Sequence, residues 1–314
     1  LKIDEKIPSI NRFSEEFLLS RDTVEKAYNI LKERRIITSI RGKGYYITRT
    51  QLLSKVNIMM LINKPSSYKM RIYNSFINNI GNNAHTDLFI YHCNETIFLN
   101  LLEKHANAYD YYIVMPHFKS DNLEHISSTA DVLRAVKKIP KDKLVIVDNK
   151  LGFSEDILKV YQDFEEDIYN ALKEGLEKIS KYEKLILVYP TKSVYPYPKR
   201  ILHGFKKFCI EYSLDFEIID EVYDDIILKR GDLFITIGEL DLVHLVNQIR
   251  RDEFVLGKDI GVISYNETPL KELLGITVIS TDFNAMGKTV AEMILNNKKG
   301  LFKNPFNFID RDSL

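Results

Sequence analysis

Basic and hydroxyl side chains lie close together at two places near the start of this 314-residue chain. The first place is the run Ser20-Arg21-Asp22-Thr23, and the second is Arg41-Gly42-Lys43. Arginine and lysine neutralise backbone phosphates, and side chains at the start of a helix reach base edges. We therefore ask whether the surrounding sequence builds elements that would present these groups to a duplex.

Two short helices and a hairpin are predicted around these residues. Ser9 and Ser20 are suited to cap helices, because a serine hydroxyl accepts from the free amides of the first turn. Two β-prone runs flank Gly42-Lys43-Gly44, where glycine tolerates positive φ. Two tightly joined helices followed by a hairpin predict a small α+β winged helix-turn-helix over residues 1–49. The apolar helix faces comprise Ile10, Phe13, Phe17 and Leu18, then Val24, Ala27, Tyr28 and Leu31.

The charge distribution separates this head from the rest of the chain. The whole chain carries 44 basic and 44 acidic residues, so its net charge indicates nothing about nucleic acid. Residues 1–50 carry 11 basic and 7 acidic residues, a net of +4, which leaves 33 and 37, a net of −4, for the remainder. A basic head on a mildly acidic body favours a DNA-binding module joined to a body with another role.

Residues 7–47 resemble the winged helix-turn-helix of GntR-family transcription regulators. The resemblance lies in Pro8-Ser9, in Ser20-Arg21-Asp22-Thr23-Val24, and in Arg41-Gly42-Lys43-Gly44 before a strand. It implies double-stranded operator DNA as a partner. The residues that it places at the DNA are Ser9, Asn11, Ser20, Arg21, Thr23, Lys26, Arg41, Gly42 and Lys43.

The head departs from the family pattern in three respects. Asp22 and Glu25 stand where the family often has threonine and arginine. A carboxylate there repels phosphate, although it can accept from a cytosine amino group. The family also has a further helix ahead of Pro8, and the chain opens on Leu1, so we expect residues to be missing before it.

The body alternates strand-like and helix-like segments. Strands are predicted at 55–62, 87–91, 111–115, 144–147, 185–189, 215–219, 233–237 and 260–265. Helices are predicted between them, at about 68–80, 97–105, 123–138, 164–179, 198–212, 240–250 and 283–295. This alternation predicts an α/β body of parallel sheets with helices on both faces. We expect two lobes, one of about 56–148 and 281–299 and the other of about 149–280 and 300–314, after a linker at 50–55.

Residues 55–314 resemble the periplasmic-binding-protein-like effector domain of LacI-type regulators. The most specific string is Val262-Ile263-Ser264-Tyr265-Asn266-Glu267-Thr268-Pro269-Leu270. The resemblance implies a dimer with a small carbohydrate between the lobes. A GntR-type head on this body occurs in arabinose-responsive and fucose-responsive regulators, which makes L-fucose and L-arabinose the first sugars to test.

Carbohydrate sites pair carboxylates and amides with hydroxyls and stack aromatic rings on sugar faces. Asn266 and Glu239 stand where the family usually has aspartate, and Ile201 stands at the position of its pocket arginine, one after Arg200. The effector residues that the resemblance implies are Tyr68, Arg71, His117, Tyr195, Lys199, Arg200, Glu239, Asn266, Asp282 and Phe283.

The sequence offers little for catalysis or metal binding. Met286-Gly287-Lys288-Thr289 has the end of a phosphate-binding loop, but the required first glycine is Asp282. The seven histidines show no metal spacing, and the two cysteines, Cys93 and Cys209, indicate buried thiols in a reducing cytoplasm. No apolar run approaches the roughly 18 residues of a membrane span, and no secretory start is visible.

The interpretation is a non-enzymatic, cytoplasmic DNA-binding regulator, a homodimer that responds to a sugar and has no cofactor, no metal and no membrane partner. Two alternatives remain open. A sugar-binding protein without a transcriptional role would need no basic head. An enzyme on a doubly wound fold would need a nucleophile, a metal set or a phosphate loop.

Overall fold

In the computed structural model, residues 3–33, 36–48, 56–152, 156–191, 193–224 and 226–314 are described. The predicted linker, residues 50–55, lies outside the described residues. The head contains strand β1 (Lys6–Ile7), helices α1 (Ile10–Phe17) and α2 (Arg21–Glu33), and strands β2 (Ile37–Ile40) and β3 (Gly44–Ile47). β3 pairs antiparallel with both β1 and β2. The predicted order of helix, turn, helix and hairpin is therefore the observed one.

The caps and turns of the head follow from particular residues. The Ser9 hydroxyl accepts from the Arg12 amide at 3.2 Å, and the Ser20 hydroxyl accepts from the Thr23 amide at 3.1 Å. Gly42 and Gly44 have φ of +75° and +107°, as the hairpin requires. The small core packs Val24, Tyr28 and Ile37, and the Tyr28 hydroxyl donates to the Pro8 carbonyl at 2.8 Å.

The body begins with the elements of its first lobe. These are β4 (Val56–Ile62), α3 (Ser67–Ile80), β5 (Ala84–Ile90), α4 (Glu95–Lys104), β6 (Tyr111–Val114), β7 (Phe118–Lys119), β8 (His125–Ile126), α5 (Ala130–Lys137), β9 (Leu144–Asp148) and β10 (Leu158–Tyr161).

The second lobe follows. Its elements are α6 (Phe164–Glu174), α7 (Leu176–Ile179), β11 (Lys184–Val188), α8 (Arg200–Glu211), β12 (Asp215–Ile219), β13 (Asp232–Thr236), α9 (Glu239–Arg251), β14 (Gly261–Tyr265), α10 (Pro269–Leu273) and β15 (Thr277–Thr281). The chain then returns to the first lobe as α11 (Phe283–Leu295) and β16 (Leu301–Lys303), and ends in the second lobe with β17 (Phe306–Ile309).

Each lobe is built on a six-stranded sheet. The strand orders are β16-β10-β9-β6-β4-β5 and β12-β11-β13-β14-β15-β17, and only β17 runs antiparallel to its neighbour. In β4, Met60 faces the core under α3 and α11, whereas Met59 faces the core under α4 and α5. Helices on both faces of parallel sheets confirm the predicted α/β fold class.

The lobe boundaries differ from the predicted ones. β10 pairs with β9, with Val160 opposite Val147, and β16 pairs with β10, so residues 158–161 and 301–303 belong to the first sheet. The chain crosses after β10 rather than after Asp148. Lys159 interrupts the apolar pattern of β10 even though it is buried, which is why the strand was not recognised from the sequence.

Two predicted helices are shorter than expected. In the segment 123–138, the helix begins only at Ala130, because the Thr129 hydroxyl caps it by accepting from the Val132 amide at 3.1 Å. Residues 118–126 form the small β7–β8 hairpin instead. The segment 164–179 breaks at Gly175, where a Cβ would lie 2.6 Å from ring carbons of Phe308.

Gly287 has a structural role in the first lobe. It lies within α11, where α11 packs on α3, and a Cβ there would lie 2.3 Å from the Ile72 carbonyl oxygen. Close helix packing accounts for this glycine without a phosphate loop. Cys93 and Cys209 are free and buried, as expected. Among the described residues, no helix has the length and apolar character needed to cross a membrane.

Candidate functional site: the interlobe cleft and the exposed head face

A cavity of about 910 Å³ opens between the lobes. It lies at the carboxyl ends of β11, β12 and β13 in the second lobe and at the start of α3 in the first. Ligands of open α/β sheets bind at such strand ends, because the loops there present polar groups. The lining includes Ser66, Ser67, Tyr68, Thr191, Ser193, Tyr197, Asp220, Glu221, Tyr223, Asp224, Glu239, Asp241 and His244.

The second-lobe side of this cavity is acidic. We call Asp220, Glu221, Asp224, Glu239 and Asp241 the acidic wall. The Asp220 carboxylate accepts from the Tyr223 hydroxyl at 2.7 Å, and Asp241 accepts from the Val222 amide at 3.0 Å. Burial raises the pKa of the Asp241 carboxyl. Carboxylates accept hydrogen bonds from hydroxyl groups, so this wall suits a polyhydroxylated ligand.

Four predicted effector residues meet where the lobes touch beside the cavity. The Tyr68 hydroxyl donates to Glu239 Oε1 at 3.0 Å, and its ring stacks on Phe283 with centroids 5.3 Å apart. Arg71 Nη1 donates to the Glu267 carbonyl at 2.9 Å. Burial, followed by the Glu239 carboxylate, raises the pKa of Tyr68. These contacts hold the first helix of one lobe to the strand ends of the other.

Two further predicted residues bridge the lobes. The Tyr195 hydroxyl lies 3.0 Å from His92 Nδ1, and Lys199 Nζ donates to Glu124 Oε1 at 2.7 Å. Tyr195 and Lys199 belong to the second lobe, whereas His92 and Glu124 belong to the first. Several side-chain contacts therefore join the two lobes.

The first lobe has a largely buried cluster of basic side chains, of which Lys64 and His117 follow the carboxyl ends of β4 and β6. We call Lys64, Lys69, His117 and His125 the basic wall. Lys69 Nζ and His117 Nε2 both contact Asp148 Oδ2, the latter at 2.7 Å, and His117 Nδ1 lies 2.8 Å from His125 Nε2. Burial is the main cause of each pKa shift. It lowers the pKa of Lys69 to about 7 and of His125 to about 4, and puts that of His117 well below its usual value.

The basic wall connects to the crossovers between the lobes. Asp148 has a φ of +76° and accepts from Gln162 Nε2 through its other oxygen, Oδ1. Gln162 Oε1 in turn accepts from the Thr281 hydroxyl. Gln162 follows β10 and Thr281 ends β15, so both lie where the chain changes lobe. Asp148 is therefore one hydrogen bond from the crossover at Gln162 and two from the crossover at Thr281.

The remaining predicted effector residues lie outside the 910 Å³ cavity. Arg200 donates to Asp163 Oδ1 at 2.7 Å on the flank of the second lobe. Asp282 caps α11 by accepting from the Ala285 amide at 2.8 Å. Asn266 has a φ of +66°, and its buried Oδ1 has no hydrogen-bond partner among the described residues. The structure places these three apart from Tyr68 and Glu239, the two predicted residues that line the cavity.

Sequence reasoning missed most of both walls. Lys64 and Lys69 lie after β4 and at the start of α3, and Asp148 ends β9. For the basic wall, the sequence signal was a charged residue at the end of an apolar strand. For the acidic wall, it was the run Asp220-Glu221-Val222-Tyr223-Asp224. In the described part of the chain, no three histidine, cysteine or carboxylate groups come together as a metal site.

The predicted DNA-facing residues share one property in the head. All nine are exposed: Ser9, Asn11, Ser20, Arg21, Thr23, Lys26, Arg41, Gly42 and Lys43. Ser9 and Ser20 also act as helix caps, and Ser20 Oγ lies 2.7 Å from Thr23 Oγ1. Hydrogen bonding within the turn therefore orients the hydroxyls at the start of α2.

No family model matches the chain, and no curated protein matches it either. Solved structures do match the chain. A LacI family transcriptional regulator from Lactobacillus casei with bound glucose is 11% identical, covering 82% of this chain and 99% of its own, with a TM-score of 0.63. The lac repressor dimer bound to operator and an anti-inducer is 14% identical. That match covers 83% of this chain and 95% of the repressor chain, with a TM-score of 0.62. A transcription regulator like protein from Staphylococcus haemolyticus is 15% identical. That match covers 83% of this chain and 98% of the Staphylococcus chain, with a TM-score of 0.59. At these identities the likeness is one of fold.

Proposed function

We propose that this protein is a DNA-binding transcription regulator whose DNA binding is controlled by a small carbohydrate bound between the two lobes. The observation that carries the proposal is the pairing of two units in one chain. One is a head with an exposed basic and hydroxyl face, and the other is a two-lobed body with a polar cleft at its strand ends. Structural neighbours with the body's fold include transcription regulators, one of them with glucose bound.

The head supports duplex recognition through the geometry of α2. Arg21 and Thr23 are in its first turn, and Lys26 follows one turn later, all exposed. A recognition helix offers its N-terminal residues to base edges in the major groove. The hairpin tip adds Arg41 and Lys43, which would neutralise phosphates beside the groove. The resemblance of residues 7–47 to GntR-family heads supports a winged helix-turn-helix of that type.

The cleft supports a carbohydrate through its acidic wall and its aromatic rings. A ligand that binds the bridged state better than an open one would shift the population of lobe arrangements. Because the buried network reaches Gln162 and Thr281 at the crossovers, such a shift would alter the body to which the heads are attached. L-fucose and L-arabinose are the first candidates, from the family resemblance.

A homodimer is supported by an apolar face on the second lobe. Leu240 and Leu270 are 74% and 57% exposed, and both line a groove of about 640 Å³ between α9 and α10. Exposed leucines in such a patch are typical of protein interfaces. Two heads on a dimer would read two half-sites of a pseudo-palindromic operator.

The DNA test uses fluorescence anisotropy on duplexes selected by the wild-type protein from a random 30-base-pair pool. We expect Arg21→Ala to weaken binding to the selected duplex by about 1–3 kcal/mol, the cost of one base contact. Lys32→Ala, at the other end of α2, is the matched control, and we expect it to change affinity little. Failure of the wild-type protein to enrich any duplex at low salt would exclude the regulator and favour a sugar-binding protein without a transcriptional role.

The effector test is a thermal-shift panel of neutral monosaccharides, beginning with L-fucose, L-arabinose and glucose. A ligand at 100 times its Kd should stabilise the body by about 2.7 kcal/mol. The same ligand should then change the anisotropy of the selected duplex. A ligand that stabilises the protein without affecting DNA binding would contradict the proposed coupling.

A further inference from the structure

Lys64 lies at the junction of the two lobes. It lies two residues beyond β4, at the strand's carboxyl end. Its Nζ is 5.2 Å from the centroid of the Tyr197 ring and 5.5 Å from that of Tyr195, both in the second lobe. Among the described residues, no carboxylate forms an ion pair with it. Burial lowers the pKa of Lys64, because the charged form loses hydration there.

The surroundings of Lys64 carry excess positive charge. Three ammonium groups, those of Lys64, Lys69 and Lys119, lie close enough to Cys93 to favour its thiolate, although burial still raises the pKa of that thiol. Asp148 is already in contact with Lys69, His117 and Gln162. Its carboxylate is thus committed to the Lys69 side and leaves Lys64 uncompensated.

The cavity continues to this point from the other side. Tyr197 lines the 910 Å³ cavity, and the Lys64 ammonium lies over the ring of this residue, two residues before Ser66, which also lines the cavity. The first residues of α3, Ser67 and Tyr68, line the same cavity, and the amides of a helix start favour anions.

We propose that the effector is an anionic carbohydrate, a sugar that bears a phosphate or a carboxylate group, with this group against Lys64 and the start of α3. The acidic wall on the opposite lobe repels the anionic group and accepts from the sugar hydroxyls, which sets the orientation of the ligand. This inference rests on the proposed carbohydrate site and specifies the class of its ligand.

The test compares matched pairs of probes by isothermal titration calorimetry. Glucose 6-phosphate, glucuronate and glucose share one ring, and galactose 6-phosphate, galacturonate and galactose share another, with inorganic phosphate and acetate as bare anions. We expect a charged member of a pair to bind about tenfold or more tighter than its neutral parent, since each tenfold corresponds to about 1.4 kcal/mol. The phosphate and carboxylate arms separate the two anionic groups.

Variants at Lys64 assign the effect to this residue. Lys64→Met should abolish the preference for the charged sugar and leave the affinity for the neutral parent unchanged, whereas Lys64→Arg should retain most of the preference. Lys104→Met, an exposed lysine on α4, is the matched control. Urea unfolding checks that each variant is folded, and we expect Lys64→Met to be at least as stable as the wild type.

Every other outcome of these titrations overturns part or all of the proposal. Equal binding of charged and neutral sugars, or a preference that survives Lys64→Met, overturns the anionic assignment and leaves the carbohydrate site standing. Binding of inorganic phosphate as tight as that of the sugar phosphates overturns the carbohydrate part. No binding by any probe at 10 mM, roughly the weakest affinity of use in a cell, overturns both.

Discussion

The basic wall and the acidic wall stand in different surroundings. On the basic wall, Lys69 and His117 are 7% and 6% exposed, and the carboxylate between them, Asp148, is 1% exposed. On the acidic wall, most carboxylates are exposed to solvent; Asp241 accepts from an amide, and Asp220 and Glu239 accept from tyrosine hydroxyls. Charges withdrawn from water need partners, whereas exposed ones do not.

This difference assigns distinct roles to the walls. The basic wall couples the stability of the first lobe to the protonation and pairing of a few buried groups. The acidic wall remains in water and can exchange water for ligand hydroxyls at little cost. We therefore expect substitutions on the basic wall to change folding stability, and the same kinds of substitution on the acidic wall to change ligand binding.

The largest expected effect is at Asp148. Asp148→Asn leaves the Lys69 ammonium buried without a carboxylate, and removing one partner of a buried pair costs about 3–5 kcal/mol. Urea unfolding at pH 7 measures this loss. Asp220→Asn, on the acidic wall, is the matched control and should stay within about 0.5 kcal/mol of the wild type. Equal losses in the two variants would remove the distinction between the walls.

A double variant sharpens the same point. Lys69→Met combined with Asp148→Asn removes both charges, so it should be more stable than Asp148→Asn alone. If the two losses simply add, the contact between Lys69 and Asp148 does not account for the cost.

The next effect is on the pH dependence of stability. The folded pKa of His125 is lowered to about 4, by burial first and then by Lys69. Between about pH 6.5 and 4 the unfolded chain binds a proton that the folded chain refuses, so stability falls as pH falls. The slope is at most about 1.4 kcal/mol per pH unit for each such imidazole. The imidazoles of His117 and His125 face three charged groups, which are Lys64, Lys69 and Asp148.

The measurement is urea unfolding at pH 6.5 and 5.5. His125→Asn should reduce the loss of stability between these two values, because one of the two buried imidazoles is removed. His244→Asn, an exposed histidine beside the acidic wall, should leave the loss unchanged. The opposite ranking of the two variants would show that the buried pair does not control the acid response.

The smallest expected effect is at the contact between Tyr68 of α3 and Glu239 of the acidic wall. Tyr68→Phe removes the hydrogen bond to Glu239 and should destabilise the bridged form by about 0.5–1.5 kcal/mol. Thermal unfolding of the ligand-free protein measures this change. Tyr73→Phe, on the same helix and packed on the core of the first lobe, should have no comparable effect. A null result for Tyr68→Phe would mean that the contact does not hold the lobes together.

Local patterns predicted the elements more reliably than their assignment to lobes. The apolar run of β4 and the caps at Ser9 and Ser20 were predicted from neighbouring residues alone, because capping and strand periodicity are local properties. The strand β10 was missed, since Lys159 has a polar side chain in a position that only the packed sheet buries. The helix predicted from Leu123 starts instead at Ala130, where the Thr129 cap prevailed over the longer pattern.

By itself, the sequence determined an α/β body, a basic head and the approximate position of a cleft at strand ends. These follow from side-chain periodicity, helix caps and the distribution of charge, which act over a few residues. Only the tertiary structure decided that Lys69, His117 and Asp148 share one buried network and that Lys64 faces Tyr197 of the other lobe. Those residues are far apart in the chain, and their charges interact strongly only because folding brings them together and removes the water between them.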